Sequence, residues 1–181
     1  MVIGIDLGNK TRTSLAVMNG EDLVTWSRFN YTDSKNAWEH RKKICKQIQD
    51  YIDAFHLTKE DYILFEQIFF GKGLSRMSNI TSLAFIQATI INEFSDKISI
   101  VEVHIQSWKC KVLGGRSATK EDAVALVEAK YPQVDLDVVI PHKRKGDEIV
   151  KDNDTADAIC IALYATKVDK KKLDDNLVNY T

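Results

Sequence analysis

VIGIDLG, residues 2–8, is a near-continuous apolar run that closes on an acid, Asp6. YILFEQI, residues 62–68, repeats the pattern, with Glu66 at the end of a second apolar run. Both runs read as buried β-strands. In DNDTADAICIALYA, residues 152–165, Asp154 and Asp157 open an apolar helical stretch at i, i+3 spacing, so both side chains project from one face of its first turn. Desolvating an unpaired carboxylate costs several kcal/mol, so acids at the edge of a core need a counter-charge. Divalent cations supply one: four carboxylates can cradle two Mg²⁺ ions roughly 3.5–4 Å apart, the arrangement suited to phosphodiester hydrolysis.

Working outward, 181 residues fit a single domain with a full core. An apolar fraction of 44% and a charged fraction of 28% are those of a globular chain. No apolar run approaches the ~18 residues of a membrane helix, and the N-terminus lacks a signal-peptide layout. Cys45, Cys110 and Cys160 are scattered and in no metal-binding spacing, which predicts a reduced, cytosolic chain. The net charge of −1 hides an uneven distribution. Residues 67–92 hold Lys72 and Arg76 but no acid; residues 105–120 hold Lys109, Lys111, Arg116 and Lys120, again without an acid. His142, Lys143, Arg144 and Lys145 form a third cluster. One such cluster alone reads as readily as a solvated loop; three flanking the acidic positions point to a polyanion.

The element order follows from periodicity. After the first strand, residues 11–18 and 23–29 read as strands joined by the hairpin signal Asn19-Gly20. Apolar positions at Trp38, Ile44, Ile48, Ile52 and Phe55 predict an amphipathic helix over residues 35–55. Strands follow at 62–68 and 98–104, and helices at 77–94, 119–129 and about 155–166. The 77–94 helix is apolar on more than one face, which predicts a subunit interface at Ile80, Leu83 and Ala84 and a homodimer. Residues 1–168 form one domain in this reading, and the lysine-rich tail 169–181 frays. Three antiparallel strands followed by alternating helices and strands give an α/β chain of ribonuclease H-like fold: a five-stranded mixed sheet flanked by helices. That topology brings Asp6, Glu66, Asp154 and Asp157 to one place.

Those motifs together resemble the RuvC family of Holliday junction resolvases. IGIDLG is similar to the family's opening I-G-I-D-x-G strand, FEQIF to its E-Q-x-F segment, and DTADAICIALYA to its D-x-x-D-A helix. In KCKVLGGRSATK, residues 109–120, Lys109 and Lys120 match the family's two lysines eleven positions apart. The resemblance implies a Mg²⁺-dependent endonuclease, with Mn²⁺ able to substitute. It would hold two ions on the four acids and cut four-way and other branched DNA by paired nicks that leave 5′-phosphate and 3′-hydroxyl ends. Lys109 and Lys120 would bind the scissile phosphate, and Phe69 would stack on bases opened at the junction. DNA contacts are expected at Lys72, Arg76, Lys109, Lys111, Arg116, Lys120, Lys143, Arg144 and Lys145. A bacterial cytosol is implied, or an infected cell, since lysines outnumber arginines as in an AT-rich bacteriophage genome; a branch-migration motor as partner stays open. Two departures stand out: Leu7 where bacterial members carry proline, and a longer, more charged stretch at 131–152.

Plainer readings compete at each position. Asp6 could cap a turn, and acids favour the first turn of any helix through its dipole. Asp152 competes with Asp154 for a metal, but only Asp154 has the three-residue spacing to Asp157. Lys109 and Lys120 could be ordinary surface lysines. His40, His56, His104 and His142 share no ligand spacing. Two rival classes remain. GIDLGNKTRTSLAV, residues 4–17, also resembles the first phosphate loop of the actin and heat-shock ATPase superfamily, although the chain lacks a second D-x-G loop. A catalytically idle DNA-binding relative is the other.

Overall fold

The computed structural model describes residues 1–8, 12–30, 33–68, 77–140 and 147–178, except for the side chains of residues 77–80 and 140. Strands β1 (Val2–Asp6), β2 (Arg12–Asn19) and β3 (Asp22–Asn30) form an antiparallel meander, and helix α1 (Ala37–Phe55) follows. Then come β4 (Tyr62–Glu66), α2 (Met77–Phe94), β5 (Ser99–Val103), α3 (Ile105–Val112) and α4 (Lys120–Lys130). A hairpin of β6 (Asp137–Ile140) and β7 (Glu148–Lys151) precedes α5 (Asn153–Tyr164), and α6 (Lys170–Asp174) ends the order. The main sheet runs β3-β2-β1-β4-β5, with β1 parallel to β4 and β4 parallel to β5. This is the expected five-stranded mixed sheet flanked by helices.

Strand alternation sorts side chains between two layers. Ile3, Ile5, Leu15, Val17, Ile63, Phe65 and Ile100 face α1 and α2, where they pack with Ile44, Ile48, Ile90 and Phe94. Ala16, Met18, Tyr62, Leu64, Val101 and Val103 face the opposite layer and meet α5, α4 and Trp108 of α3. Parity therefore assigns Asp6 and Glu66, at the ends of their strands, to the α5 face. The register places them side by side: Ile5 pairs with Phe65, so Asp6 and Glu66 are the next step along the two parallel strands.

Helix α5 is buried on nearly every side, from Thr155 to Tyr164, and Gly4 is what lets it descend. A Cβ at Gly4 would lie 2.3 Å from the Ala158 carbonyl oxygen and 2.6 Å from the Ala162 amide nitrogen. Small residues on both sides, Gly4 against Ala158 and Ala162, bring helix backbone and strand backbone into direct contact.

The periodicity located most elements within a residue or two, and caps account for the offsets. Asn36 accepts a hydrogen bond from the Glu39 amide and starts α1 after residue 35. Thr119 and Asp122 form a reciprocal capping box that starts α4 at Lys120. Helix α3 was not foreseen, because its single short apolar row is interrupted by lysines and reads as a basic loop. The β6–β7 hairpin lies inside the stretch read as a loop. Trp38, placed by periodicity on the buried face of α1, is instead 58% exposed, with the Arg41 and Lys42 cations against its ring.

The tail also corrects the sequence reading. Leu173 is buried, the Tyr62 hydroxyl donates to Asp174 at 2.9 Å, and Leu177 bridges to Val101. The Val178 amide donates to the Ile100 carbonyl at 2.9 Å. The segment packs because β5 is an edge strand whose open backbone groups it covers. Among the described residues no helix is long and apolar enough to cross a membrane.

The Gly4 contact makes a direct prediction. Gly4→Val must push α5 from the sheet, because its nearest obstacles are backbone atoms. Thermal unfolding should show a loss of at least about 1–3 kcal/mol, the usual cost of overpacking. A variant as stable as the parent would show that the close approach is dispensable.

Candidate active site

One row of residues crosses the sheet beneath the start of α5. Arg28 pairs with Ser14, Ser14 pairs with Asp6, and Glu66 lies one step beyond. Every member has the parity that faces α5. The helix answers residue for residue. Thr155 Oγ1 lies 3.0 Å from Ser14 Oγ and donates to Asp152 Oδ2 at 2.6 Å. Asp152, fully buried, caps α5 by accepting from the Thr155 amide at 3.3 Å. Its carboxylate also meets Arg28 Nε at 3.0 Å and an Arg12 terminal nitrogen at 3.5 Å.

Asp152 is thus committed to two arginines and a helix cap, which resolves its competition with Asp154. Asp154 and Asp157, in the first two turns of α5, are partly buried and act electrostatically on Asp6. Asp154 Oδ1 lies 4.0 Å from Lys120 Nζ at the start of α4. Trp108 of α3 donates its indole N–H to Glu66 Oε1 at 3.3 Å. Lys109, the next residue, donates to the Ala118 carbonyl at 2.9 Å.

The electrostatics are those of a crowded acid cluster. Asp6 is raised well above the ordinary carboxylate range, first by burial and then by the charges of Asp157, Asp154 and Glu66; Lys120 opposes this. Burial pushes Asp157 up to about 6, against the pull of Lys120 and Lys109. Glu66 and Asp154 are raised as well, chiefly by burial; the Trp108 hydrogen bond opposes the shift at Glu66, and Lys120 opposes it at Asp154. Asp157 Oδ1 is buried with no hydrogen-bond partner among the described residues. Such an oxygen, among like charges, calls for a proton or a cation.

The all-oxygen donor set suits a hard divalent ion. As the side chains stand, no three His, Cys, Asp or Glu of the described residues are close enough together to hold one ion. Two carboxylates with waters would suffice for a hard divalent ion such as Mg²⁺. A cleft of about 240 Å³ opens beside Asp6 and Glu66, walled by Leu7, Ile68, Leu83 and Ile105.

No protein-family model matches this chain, and no curated protein matches it in sequence. Solved structures do match. RuvC of Thermus thermophilus is 18% identical over 97% of each chain, with a TM-score of 0.63. T. thermophilus RuvC in complex with Holliday junction substrate gives a TM-score of 0.64 at 16% identity, covering 97% of this chain and 96% of that one. The chain has the RuvC fold. The yeast mitochondrial Holliday junction resolvase Ydc2 is a more distant match, with a TM-score of 0.51 and 18% identity over 92% of this chain and 77% of that one. At these identities the likeness is one of architecture.

Within the RuvC fold, Asp6, Glu66, Asp154, Asp157, Lys109 and Lys120 influence one another electrostatically, and of these six only Asp6 and Glu66 line the cleft. Lys111 and Arg116 do not join them; they line a separate pocket. Leu83, expected at a subunit seam, walls the acid cleft, and Ala84 is half-buried. Phe69, Lys72, Arg76, Lys143, Arg144 and Lys145 lie outside the described residues, as does the Ile80 side chain. Sequence reasoning missed Trp108, Arg12, Arg28 and the Ser14–Thr155 contact. The shared parity of Arg12 and Ser14 on β2 was the available signal for two of them.

A carboxyl with a raised folded-state pKa favours folding most fully below its unfolded value, about 4, and loses that contribution as pH rises through the folded value. For Asp157 the window runs from about 4 to about 6. In chelator, Asp157→Asn should therefore gain melting temperature relative to the parent as pH rises from 4 to 7. A constant difference across that range, measured calorimetrically, would remove the strained carboxylate.

Proposed function

We propose that the protein is a metal-dependent, structure-selective endonuclease that resolves four-way DNA junctions and related branches by paired nicks. The observation that carries the reading is the convergence of four carboxylates with raised pKa values and two lysines at the strand ends of a RuvC fold. The relative solved with Holliday junction substrate makes branched DNA the first substrate to try.

Asp6, Glu66, Asp154 and Asp157 are the residues that would hold divalent ions, Mg²⁺ or Mn²⁺. Such ions, when bound, supply an activated water and neutralise charge on a leaving 3′ oxygen, leaving a 5′-phosphate. The chain's own contribution is positional. Trp108 fixes the Glu66 carboxylate, and Asp152 pins the start of α5 so that Asp154 and Asp157 face Asp6. Lys120 and Lys109 present positive charge where a phosphate would approach the acids.

The test is cleavage of a synthetic four-way junction with Mg²⁺, with ATP hydrolysis followed on the same sample to separate the ATPase reading. Asp6→Asn, Glu66→Gln and Asp157→Asn should each lower nicking by at least about 10³-fold while junction binding persists, since affinity rests on cation–phosphate contacts. Near-parental nicking by any of the three at saturating Mg²⁺ would sink the assignment. Persistent binding with no cleavage by the parent would favour the idle relative.

Ligatable products require two cuts on strands of like polarity, which a two-fold dimer supplies. The outer face of α1 and α2 is the seam we favour: Phe85 and Trp38 are 59% and 58% exposed, and Arg41 lies against both rings at 5.6 and 5.5 Å. Phe85→Glu should sediment as a monomer and nick without pairing. A monomeric parent at micromolar concentration that still makes paired incisions would refute the dimer.

A further inference from the structure

Helix α3 has two polar faces. Trp108 and Lys109 turn toward Glu66 and Asp157. Gln106, Ser107 and Lys111, on the opposite face, line a second pocket of about 270 Å³ with Arg116 and Lys172. Among the described residues no carboxylate lines it, and none of its three cations makes an ion pair there. Lys43, Lys46, Lys130, Lys151, Lys167 and Lys170 each meet a carboxylate, while Lys42, Lys59 and Lys97 meet a ring, a carbonyl and an amide oxygen instead. Three cations around one shallow pocket repel one another, and Glu102 in the adjoining depression, which shares Lys172 and Ser107 with it, is the nearest acid to that lining.

The pocket is also built from distant parts of the chain. Lys172 belongs to α6, which is anchored by buried Leu173 and by the Tyr62–Asp174 hydrogen bond. Lys111 comes from α3, and Arg116 from the turn that follows it. Ser107 and Gln106 add neutral donors. Three positive charges with hydroxyl and amide donors and no acid match a phosphodiester oxygen pair. An α-helix is about 10–12 Å across with its side chains. A duplex arm leaving the acid cluster past α3 would therefore bring a backbone phosphate to this side within one or two nucleotides of the cut.

We propose that this pocket seats a backbone phosphate of the DNA arm running outward from the acid cluster, with Lys172 as a contact. The inference rests on the reading of that cluster as a branched-DNA nuclease, and it assigns a binding role to the segment beyond residue 168.

The experiment is equilibrium binding of the full-length chain, in chelator, to four-way junctions whose arms are shortened stepwise, over a salt series. For long arms, Lys172→Ala should weaken binding about 3–10-fold and lower the salt slope by about 0.9, the value for one lost phosphate contact. Lys172→Arg should restore both, and for arms too short to pass α3 the parent and Lys172→Ala should bind alike. An unchanged affinity and slope on long arms would overturn the proposal. So would an equal loss on short arms, or a loss that Lys172→Arg does not rescue, since either would mark a structural role. Inorganic phosphate that raises the melting temperature of the parent but not of Lys172→Ala, with the junction salt slope unchanged, would assign the pocket to the free anion and overturn it too. If the parent binds linear duplex as tightly as junctions, with a Lys172-dependent slope, the pocket stands and the junction reading falls. If it binds neither, both fall.

Discussion

The contact between Gly4 and α5 is the constraint on which the rest of the site depends. A helix ordinarily rides about 10 Å above a sheet, held off by side chains on both surfaces. Here a strand glycine meets the backbone at Ala158 and Ala162, and the helix sinks until its first two turns reach the level of the strand ends. At that depth Asp154 and Asp157 act electrostatically on Asp6. The depth alone would leave the helix free to slide along its axis. Asp152 removes that freedom, because its carboxylate is held by Arg28 from β3 and Arg12 from β2 while it caps the helix. Breaking a buried pair by removing one partner costs roughly 3–5 kcal/mol, so the axial position of α5 is strongly fixed.

That same fixity sets up the opposing electrostatic problem. The row Arg28–Ser14–Asp6–Glu66 changes character across the sheet. On the β3 side, positive charge meets Asp152 and is neutralised. On the β4 side, four acids gather with Lys120 and Lys109 as their nearest counter-charges, and these leave Asp157 with a pKa near 6 and one oxygen without a hydrogen bond. The Asp152 pairs hold the helix in place against the repulsion that its other two acids create. Stability is concentrated on one half of the row, and strain on the other.

Much of this was legible in the sequence, for a physical reason. Period-2 alternation assigns each strand residue to a face whatever its partner, so Asp6 and Glu66 could be put on one side of one sheet once the strands were recognised. The i, i+3 spacing did the same for Asp154 and Asp157. Pairing between distant side chains carries no such periodicity. That Asp152 binds Arg12 and Arg28, or that Trp108 donates to Glu66, depends on contacts across forty to more than a hundred residues. Local pattern also misjudged Trp38: an apolar residue at a helical repeat is only statistically buried, and here cations cover its ring instead. The tail was misread because lysine-rich composition outweighed Leu173 and Leu177, the two apolar residues that dock it beside the open edge of β5.

Charge illustrates the limit most clearly. Sequence counts gave a net charge of −1 and three basic runs, and the runs alone could not separate solvated loops from a polyanion surface. What separates them is whether each cation is already matched. On the flank formed by Glu21, Lys130 and Lys167, opposite charges close on one another, and such exposed pairs add little stability and leave little field. Lys111, Arg116 and Lys172 show no ion pair among the described residues, while the acid cluster lies on the other face of α3. A nearly neutral chain can therefore carry both an acid cluster and a group of unpaired cations, on opposite faces of α3. The separation matters because a phosphate approaching the acids directly would be repelled. Under the proposed function, Lys109 and Lys120 beside the cluster, and the cations behind α3, would offset that repulsion before the phosphate reached the carboxylates.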